Sequence, residues 1–244
     1  MYRSDHRAGV CRLHGPATRW LSAGFDGGYT EGEVAYNVTV PEGFDRTDLA
    51  TYARERRREA EFGDGPTLLT GVEQQHARGA RLDSVTATAT AGVSNPAGLP
   101  MDLDDGPTEP TEPTEPKSGD RPPKPGTVNV LLATTRRLPD GALASLLALV
   151  AETKAATLLH ETGVPGTTSD AVIVGSARDG ERAQFAGSAT AVGRAARACV
   201  REAVRGSLAS RYADRSLPES VADAAYGVET TVRADVFEPS DTPK

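Results

Sequence analysis

Residues 126–135 read Gly126-Thr127-Val128-Asn129-Val130-Leu131-Leu132-Ala133-Thr134-Thr135, and this stretch decides the fold. Its short, nearly continuous apolar run, opened by a Gly-Thr turn, predicts a strand buried on both faces. A long helical pattern follows over residues 139–161, with Pro139 at its start and Gly163 beyond its end. Residues 170–176 (DAVIVGS) read as a second buried strand, and residues 188–208 as a second long helix capped by Ser188 or Thr190. Strands and helices therefore alternate in the second half of the chain.

Upstream the pattern changes. Residues 18–25 (TRWLSAGF) and 33–40 (EVAYNVTV) predict two strands, with Asp26-Gly27-Gly28-Tyr29 as turn chemistry between them. Residues 47–60 predict a charged surface helix, and residues 66–80 a weaker helix opened by Pro66. Residues 84–93 (SVTATATAGV) alternate small and β-branched side chains, as a strand does. A short helix is expected over residues 217–226. The fold class implied is α/β (α+β), a single mixed β-sheet domain covered by helices.

Residues 102–125 carry three Thr-Glu-Pro repeats and many further prolines. Such a segment has too little apolar surface to offset the entropy of ordering it, so a disordered, extended insertion is expected. One domain is then built from 1–101 and 126–237, interrupted by the insertion at 102–125 and followed by a flexible tail over 238–244.

The chain has 244 residues, 34 acidic against 27 basic, and a net charge of −7. Lysine occurs only at Lys117, Lys124, Lys154 and Lys244; all other basic residues are arginine. This acidic, Lys-poor, Ala-rich composition is halophile-like, or that of a GC-rich genome. It argues against nonspecific nucleic-acid binding and against an anionic membrane surface, since both need a positive footprint. Cys11 and Cys199 form no metal or disulfide pattern. No signal peptide is read at the N-terminus and no apolar run of about 20 residues is seen, so a cytoplasmic location is expected. His6, His14, His76 and His160 lack metal-ligand spacing, and no metal is expected.

Within the helix at 139–161, Leu143, Leu147, Val150 and Leu158 fall on one apolar stripe. Lys154 lies roughly 20° from Leu143 on that stripe. It must snorkel out, pair with an acid, or line a cavity. Glu152, two residues away, faces elsewhere on a helix. Asp170 follows Gly166-Thr167-Thr168-Ser169 and precedes a strand, as either a turn-capping carboxylate or one presented to a cleft. Asn95 and Asn129 interrupt strand-like patterns; each either holds neighbouring loops together or hydrogen-bonds a substrate amide. Arg194, Arg197, Arg201 and Arg205 form a stripe expected to be a solvated, salt-bridged face.

Six segments, in order, resemble the adenosylcobinamide amidohydrolase family. They are Trp20-Leu21-Ser22-Ala23-Gly24-Phe25 with Gly27-Gly28 and Asn37, then Thr90-Ala91-Gly92-Val93-Ser94-Asn95-Pro96-Ala97, then Gly126-Thr127-Val128-Asn129-Val130. Glu152-Thr153-Lys154-Ala155-Ala156-Thr157, Gly166-Thr167-Thr168-Ser169-Asp170-Ala171 and Gly187-Ser188-Ala189-Thr190-Ala191-Val192-Gly193 follow. The Thr-Glu-Pro insertion departs from the pattern but leaves these segments intact.

The resemblance implies hydrolysis of the amide that joins aminopropanol to a corrin propionate. Adenosylcobyric acid would re-enter cobamide (vitamin B12 coenzyme) salvage. It implies a corrinoid small-molecule substrate, with no cofactor beyond the cobalt that the substrate carries; the oligomeric state is left open. On this basis Asp170, or second Glu152, is expected to activate water. Lys154, with backbone N–H groups near Gly166 or Gly126, is expected to stabilise the oxyanion or protonate the leaving amine. Asn95, Asn129, Ser22, Thr127 and Thr168 are expected to bind the substrate in a broad cleft. A rival reading makes Thr127 or Thr167, each following a glycine, a nucleophile of self-processing type. The alternative function is a non-catalytic corrinoid-binding carrier on the same fold, and a further one is a scaffold built around the Thr-Glu-Pro segment.

Overall fold

The computed structural model describes residues 1–102, 126–218, 220–224 and 226–239. The insertion expected over 102–125 lies, from residue 103 on, outside the described residues, as do residues 240–244 of the expected tail.

The chain opens on a hairpin, β1 (Arg3–Arg7) and β2 (Val10–Ser22), turned by Ala8 and Gly9 at φ +48° and +75°. β3 (Gly28–Thr39) returns antiparallel to β2, with a register shift between His14 and Thr18 that bends the long ribbon. α1 (Leu49–Glu59) then leads to β4 (Thr67–Thr70), parallel to β3. A 3-10 turn at Gln74–His76 precedes the hairpin of β5 (Arg78–Leu82) and β6 (Val85–Ala91), and a short β7 (Pro96–Gly98) follows. β8 (Val128–Thr134), α2 (Asp140–Thr162), β9 (Gly166–Thr167) and β10 (Ala171–Ala177) come next. α3 (Ala191–Arg211) and β11 (Val228–Glu229) complete the described elements.

The main sheet has the order β4-β3-β2-β10-β8-β6-β5, with β1 paired on β2. It is mixed: β8 and β10 run parallel, while β6 and β2 flank them antiparallel. Parallel neighbours need a long crossover, and α2 provides it. A smaller sheet, β11-β7-β9, stands beside the amino ends of β8 and β10.

Alternation along each strand sorts the core into layers. Val130, Leu132, Val172 and Val174 face the helices, with Leu143, Leu146, Val150 and Leu158 of α2 and Val192, Ala196, Val200 and Val204 of α3. Leu131, Ala133 and Ile173 face the other way and meet Tyr2, Leu13, Trp20, Ala35 and Leu68. The sheet therefore curls back over itself: the Arg81 guanidinium on β5 reaches the Tyr2 carbonyl at 2.6 Å. Gly175 makes room for Trp20, since a Cβ there would lie 2.4 Å from the indole ring. A third cluster, Val10, Tyr36, Val38 and Tyr52, lies under α1.

α2 is covered by the sheet on one side and α3 on another, so Leu146 and Leu149 are buried beside the expected stripe and Leu147 is only half-buried. By length and composition an 18-residue window of α2 is apolar enough to cross a membrane, although Glu152 and Lys154 interrupt its apolar run. Half of that window is buried inside the fold, which accounts for its apolarity. Gly163 ends the helix at φ +75°, the left-handed cap its position predicts.

Three expectations are corrected. Residues 66–80 form β4, a 3-10 turn and β5 instead of a helix. Pairing of Leu68 and Leu69 with Asn37 and Val38 outweighs a weak helical pattern interrupted by Gly71 and Gly79. The described part of 217–226 contains bends and a turn but no helix; Ser220 Oγ instead accepts from the Asp223 N–H, a local bond that competes with helix formation. The strand expected at 18–25 begins at Val10 and stops at Ser22.

Candidate active site

Asp170 immediately precedes β10, whose parallel pairing sets Ala171 opposite Asn129 on β8. Four donors converge on its carboxylate. Oδ1 accepts from the Val128 N–H at 2.8 Å and the Thr167 hydroxyl at 2.5 Å. Oδ2 accepts from the Thr167 N–H at 3.1 Å and forms an ion pair with Lys154 Nζ. The side chains of Lys154 and Asp170 are 9% and 11% exposed, so the pair is nearly withdrawn from water. Burying two charges costs several kcal/mol per ion, and the hydrogen bonds on Asp170 offset that cost. Of the three fates open to a lysine on an apolar stripe, pairing with an acid is the one realised.

Gly166 faces this pair. A Cβ there would lie 2.8 Å from Asp170 Oδ2 and 3.3 Å from Lys154 Nζ, so the glycine is a matter of space. Gly126 packs as closely against the loop after β6, where a Cβ would lie 2.4 Å from the Ser94 nitrogen.

The other expected residues gather nearby in different ways. Thr168, exposed, accepts from Asn95 Nδ2 at 2.5 Å, while its N–H donates to the Asn95 carbonyl at 3.2 Å. Asn95 is 5% exposed, and its Oδ1 is buried without a hydrogen-bond partner among the described residues. Thr127 is buried, with its hydroxyl 3.1 Å from that of the exposed Ser169. Asn129 acts as a brace: Nδ2 donates to Asn37 Oδ1 at 2.9 Å and to the Leu69 carbonyl at 2.8 Å, while Oδ1 accepts from the Ala171 N–H at 3.1 Å. Asn37 continues the chain of bonds to Thr90 Oγ1 at 2.8 Å. Ser22, at the end of β2, pairs with Ile173 and accepts from the Gly24 N–H at 3.1 Å.

Glu152 stands apart. Its side chain is 63% exposed and bridges to Arg197 on α3 at 2.7 Å, on a different face of α2 from Lys154. Three arginines of the expected stripe are salt-bridged, Arg197 on Glu152, Arg201 on Glu202 and Arg205 on Glu161. These arginines line a groove of about 570 Å³ between α2 and α3, together with Thr157 and His160. Neither Lys154 nor Asp170 lines it, so this concavity is not the cleft expected around them. Among the described residues no group of three or more His, Cys, Asp or Glu side chains converges.

The contact between Thr167 and Asp170 was not anticipated, although their three-residue spacing is that of a local side-chain-to-backbone turn. Asn37 as the partner of Asn129 was not readable, because the two residues are 92 positions apart.

The chain matches the family described as adenosylcobinamide amidohydrolase over residues 1–216. It is 50% identical over 242 residues to a Halobacterium salinarum protein named adenosylcobinamide amidohydrolase, covering 98% of this chain and all of that relative. A Methanosarcina mazei protein of the same name is 28% identical over 189 residues, covering 71% of this chain and 82% of the relative. The chain therefore belongs to the adenosylcobinamide amidohydrolase family.

Proposed function

We propose that this chain hydrolyses adenosylcobinamide to adenosylcobyric acid and aminopropanol, at the centre formed by Lys154 and Asp170. The observation that carries the reading is a nearly buried ammonium–carboxylate pair, in a family of amidohydrolases, set at the amino ends of β8 and β10.

Amide hydrolysis needs a base for the nucleophile's proton, positive charge near the developing oxyanion, and a proton for the leaving nitrogen. In this reading Asp170 is the base. Lys154, withdrawn from water, is the positive charge, and its electrostatic effect is larger there than at the surface. Asn95 Oδ1, the orphaned acceptor, is closed to solvent, so an N–H of a substrate amide satisfies it only when the contact between Asn95 and Thr168 opens. Thr168, Thr127 and Ser22 border the approach of the substrate arm, and Asn129 holds the strand ends that carry it. The exposed base at Glu152 has no part in this scheme.

The test is incubation of purified protein with adenosylcobinamide and chromatographic separation of the products. Equimolar adenosylcobyric acid and aminopropanol are expected. Substrate that survives prolonged incubation with folded protein overturns the proposal.

A further inference from the structure

Asp170 cannot take a proton from a water without first losing a ligand. An ionised carboxylate offers about four lone-pair directions. Here they are met by the Val128 N–H, the Thr167 N–H, the Thr167 hydroxyl and the Lys154 ammonium. Two of these donors are backbone amides, which do not ionise in this chemistry. The third is the lysine that compensates the carboxylate's charge. The remaining one is the Thr167 hydroxyl, whose oxygen lies 2.5 Å from Oδ1 and becomes a nucleophile when its proton leaves.

The surroundings agree with that role. Thr167 belongs to the two-residue β9, clamped by pairing with Pro96 of β7, so its backbone is held on a sheet. It adjoins the exposed Thr168 and Ser169, where the centre meets solvent. The nucleophile–base–orienter relation is complete within the described residues: Thr167 bonds Asp170, and Asp170 is held by Lys154 and by the Val128 N–H. The hydroxyls of Thr127 and Ser169 are bonded to each other, and that of Thr168 accepts from Asn95.

We infer that Thr167 is the nucleophile and that hydrolysis passes through an ester of its hydroxyl. This rests on the amidohydrolase reading above and specifies its route. In the first half-reaction Thr167 Oγ1 adds to the amide carbonyl carbon as its proton moves to Asp170 Oδ1. The tetrahedral adduct collapses with cleavage of the C–N bond, and the departing nitrogen takes the proton from Asp170. Aminopropanol leaves and the corrin acyl group remains on Thr167. In the second half-reaction water adds to the ester carbonyl, giving its proton to Asp170. The C–O bond then breaks, and the proton returns to Thr167 Oγ1. Lys154 remains an ammonium throughout, and the sum is one amide plus one water giving one acid and one amine.

Two measurements test this on the full chain. Thr167→Val keeps the shape and removes the hydroxyl; turnover is expected to fall by roughly a thousandfold or more, while Thr167→Ser retains measurable turnover. Wild-type protein turning over adenosylcobinamide in the presence of hydroxylamine is expected to form the corrin hydroxamate. The hydroxamate-to-acid ratio should be the same for substrates that differ only in the leaving amine, because both products come from one ester. Thr167→Val activity within tenfold of wild type, or wild-type turnover without hydroxamate, overturns the inference and leaves the amidohydrolase reading standing. Failure of the wild type to release any aminopropanol would instead remove that reading and this one together.

Discussion

At the scale of single residues, space and charge at the Lys154–Asp170 pair decide what is tolerated. Gly166→Ala would bring a methyl to 2.8 Å from Asp170 Oδ2, so the pair must move. A displacement of about 1 Å at a reacting centre costs on the order of a hundredfold in rate. A fall in kcat of that size is expected, together with a lower melting temperature because a nearly buried ion pair is displaced; an unchanged kcat would place the chemistry elsewhere. Lys154→Ala should be costlier to stability than to remove both partners, because it leaves a nearly buried carboxylate uncompensated, a loss of about 3–5 kcal/mol by urea unfolding. The two cysteines are expected to be inert. Burial pushes the thiols of Cys11 and Cys199 up to about 11, so neither should react with a thiol reagent at pH 8 until the chain is unfolded, when two thiols appear. Lys154 and Asp170 were both legible in the sequence, one as a charge on an apolar stripe and the other as the end of a Gly-Thr-Thr-Ser turn. Their partnership was not, since it depends on how far α2 slides along β10.

Elements carry a different set of consequences. Ala8 occupies the left-handed region at φ +48° in the two-residue turn between β1 and β2. Ala8→Gly relieves a backbone conformation that costs an alanine about 1 kcal/mol, so an increase in unfolding free energy of that order is expected. The ion pair of Glu152 and Arg197 links α2 to α3 across solvent. Glu152→Gln is expected to change stability by less than about 1 kcal/mol and to leave hydrolysis intact. His76 ends the 3-10 turn beside α3, with Nδ1 at 3.1 Å from Ser210 Oγ. Burial, then the nearby Arg211 charge, hold its pKa below the usual 6.5, with Arg215 and Arg78 adding to the effect and Glu73 opposing it. The unfolded chain therefore takes up the proton first on acidification. The contribution of His76 is fully present above pH 6.5 and is lost as pH falls through the lower folded value. Urea midpoints between pH 7 and pH 5 should fall less for His76→Gln than for wild type. The long helices were readable because their caps and apolar repeats are local. The helix expected over 66–80 failed because a short run, Leu68-Leu69, gains more from pairing with β3 than from its own turn.

For the whole molecule, the three apolar clusters share strands: β8 and β10 contribute one face to the helix layer and the other to the interior of the curl. β2 and β3 likewise join the second cluster to the third. A single unfolding transition, coincident by fluorescence of Trp20 and by far-ultraviolet circular dichroism, is therefore expected of the core; two separated transitions would show independent units. The mixed sheet and its helix layer were legible in periodicity alone, because a strand's alternation and a helix's caps are written within a few neighbouring residues. So were the acidic balance of the chain and the candidate polar residues, which composition and broken patterns expose. The curl of the sheet was decided only in three dimensions, as was the brace of Asn129 on Asn37 across 92 positions. The gathering of α2, β9 and the start of β10 around one carboxylate was decided there too. Each of those depends on which distant strands satisfy one another's backbone and buried polar groups, a choice settled by the joint burial of the chain and not by any local segment of it.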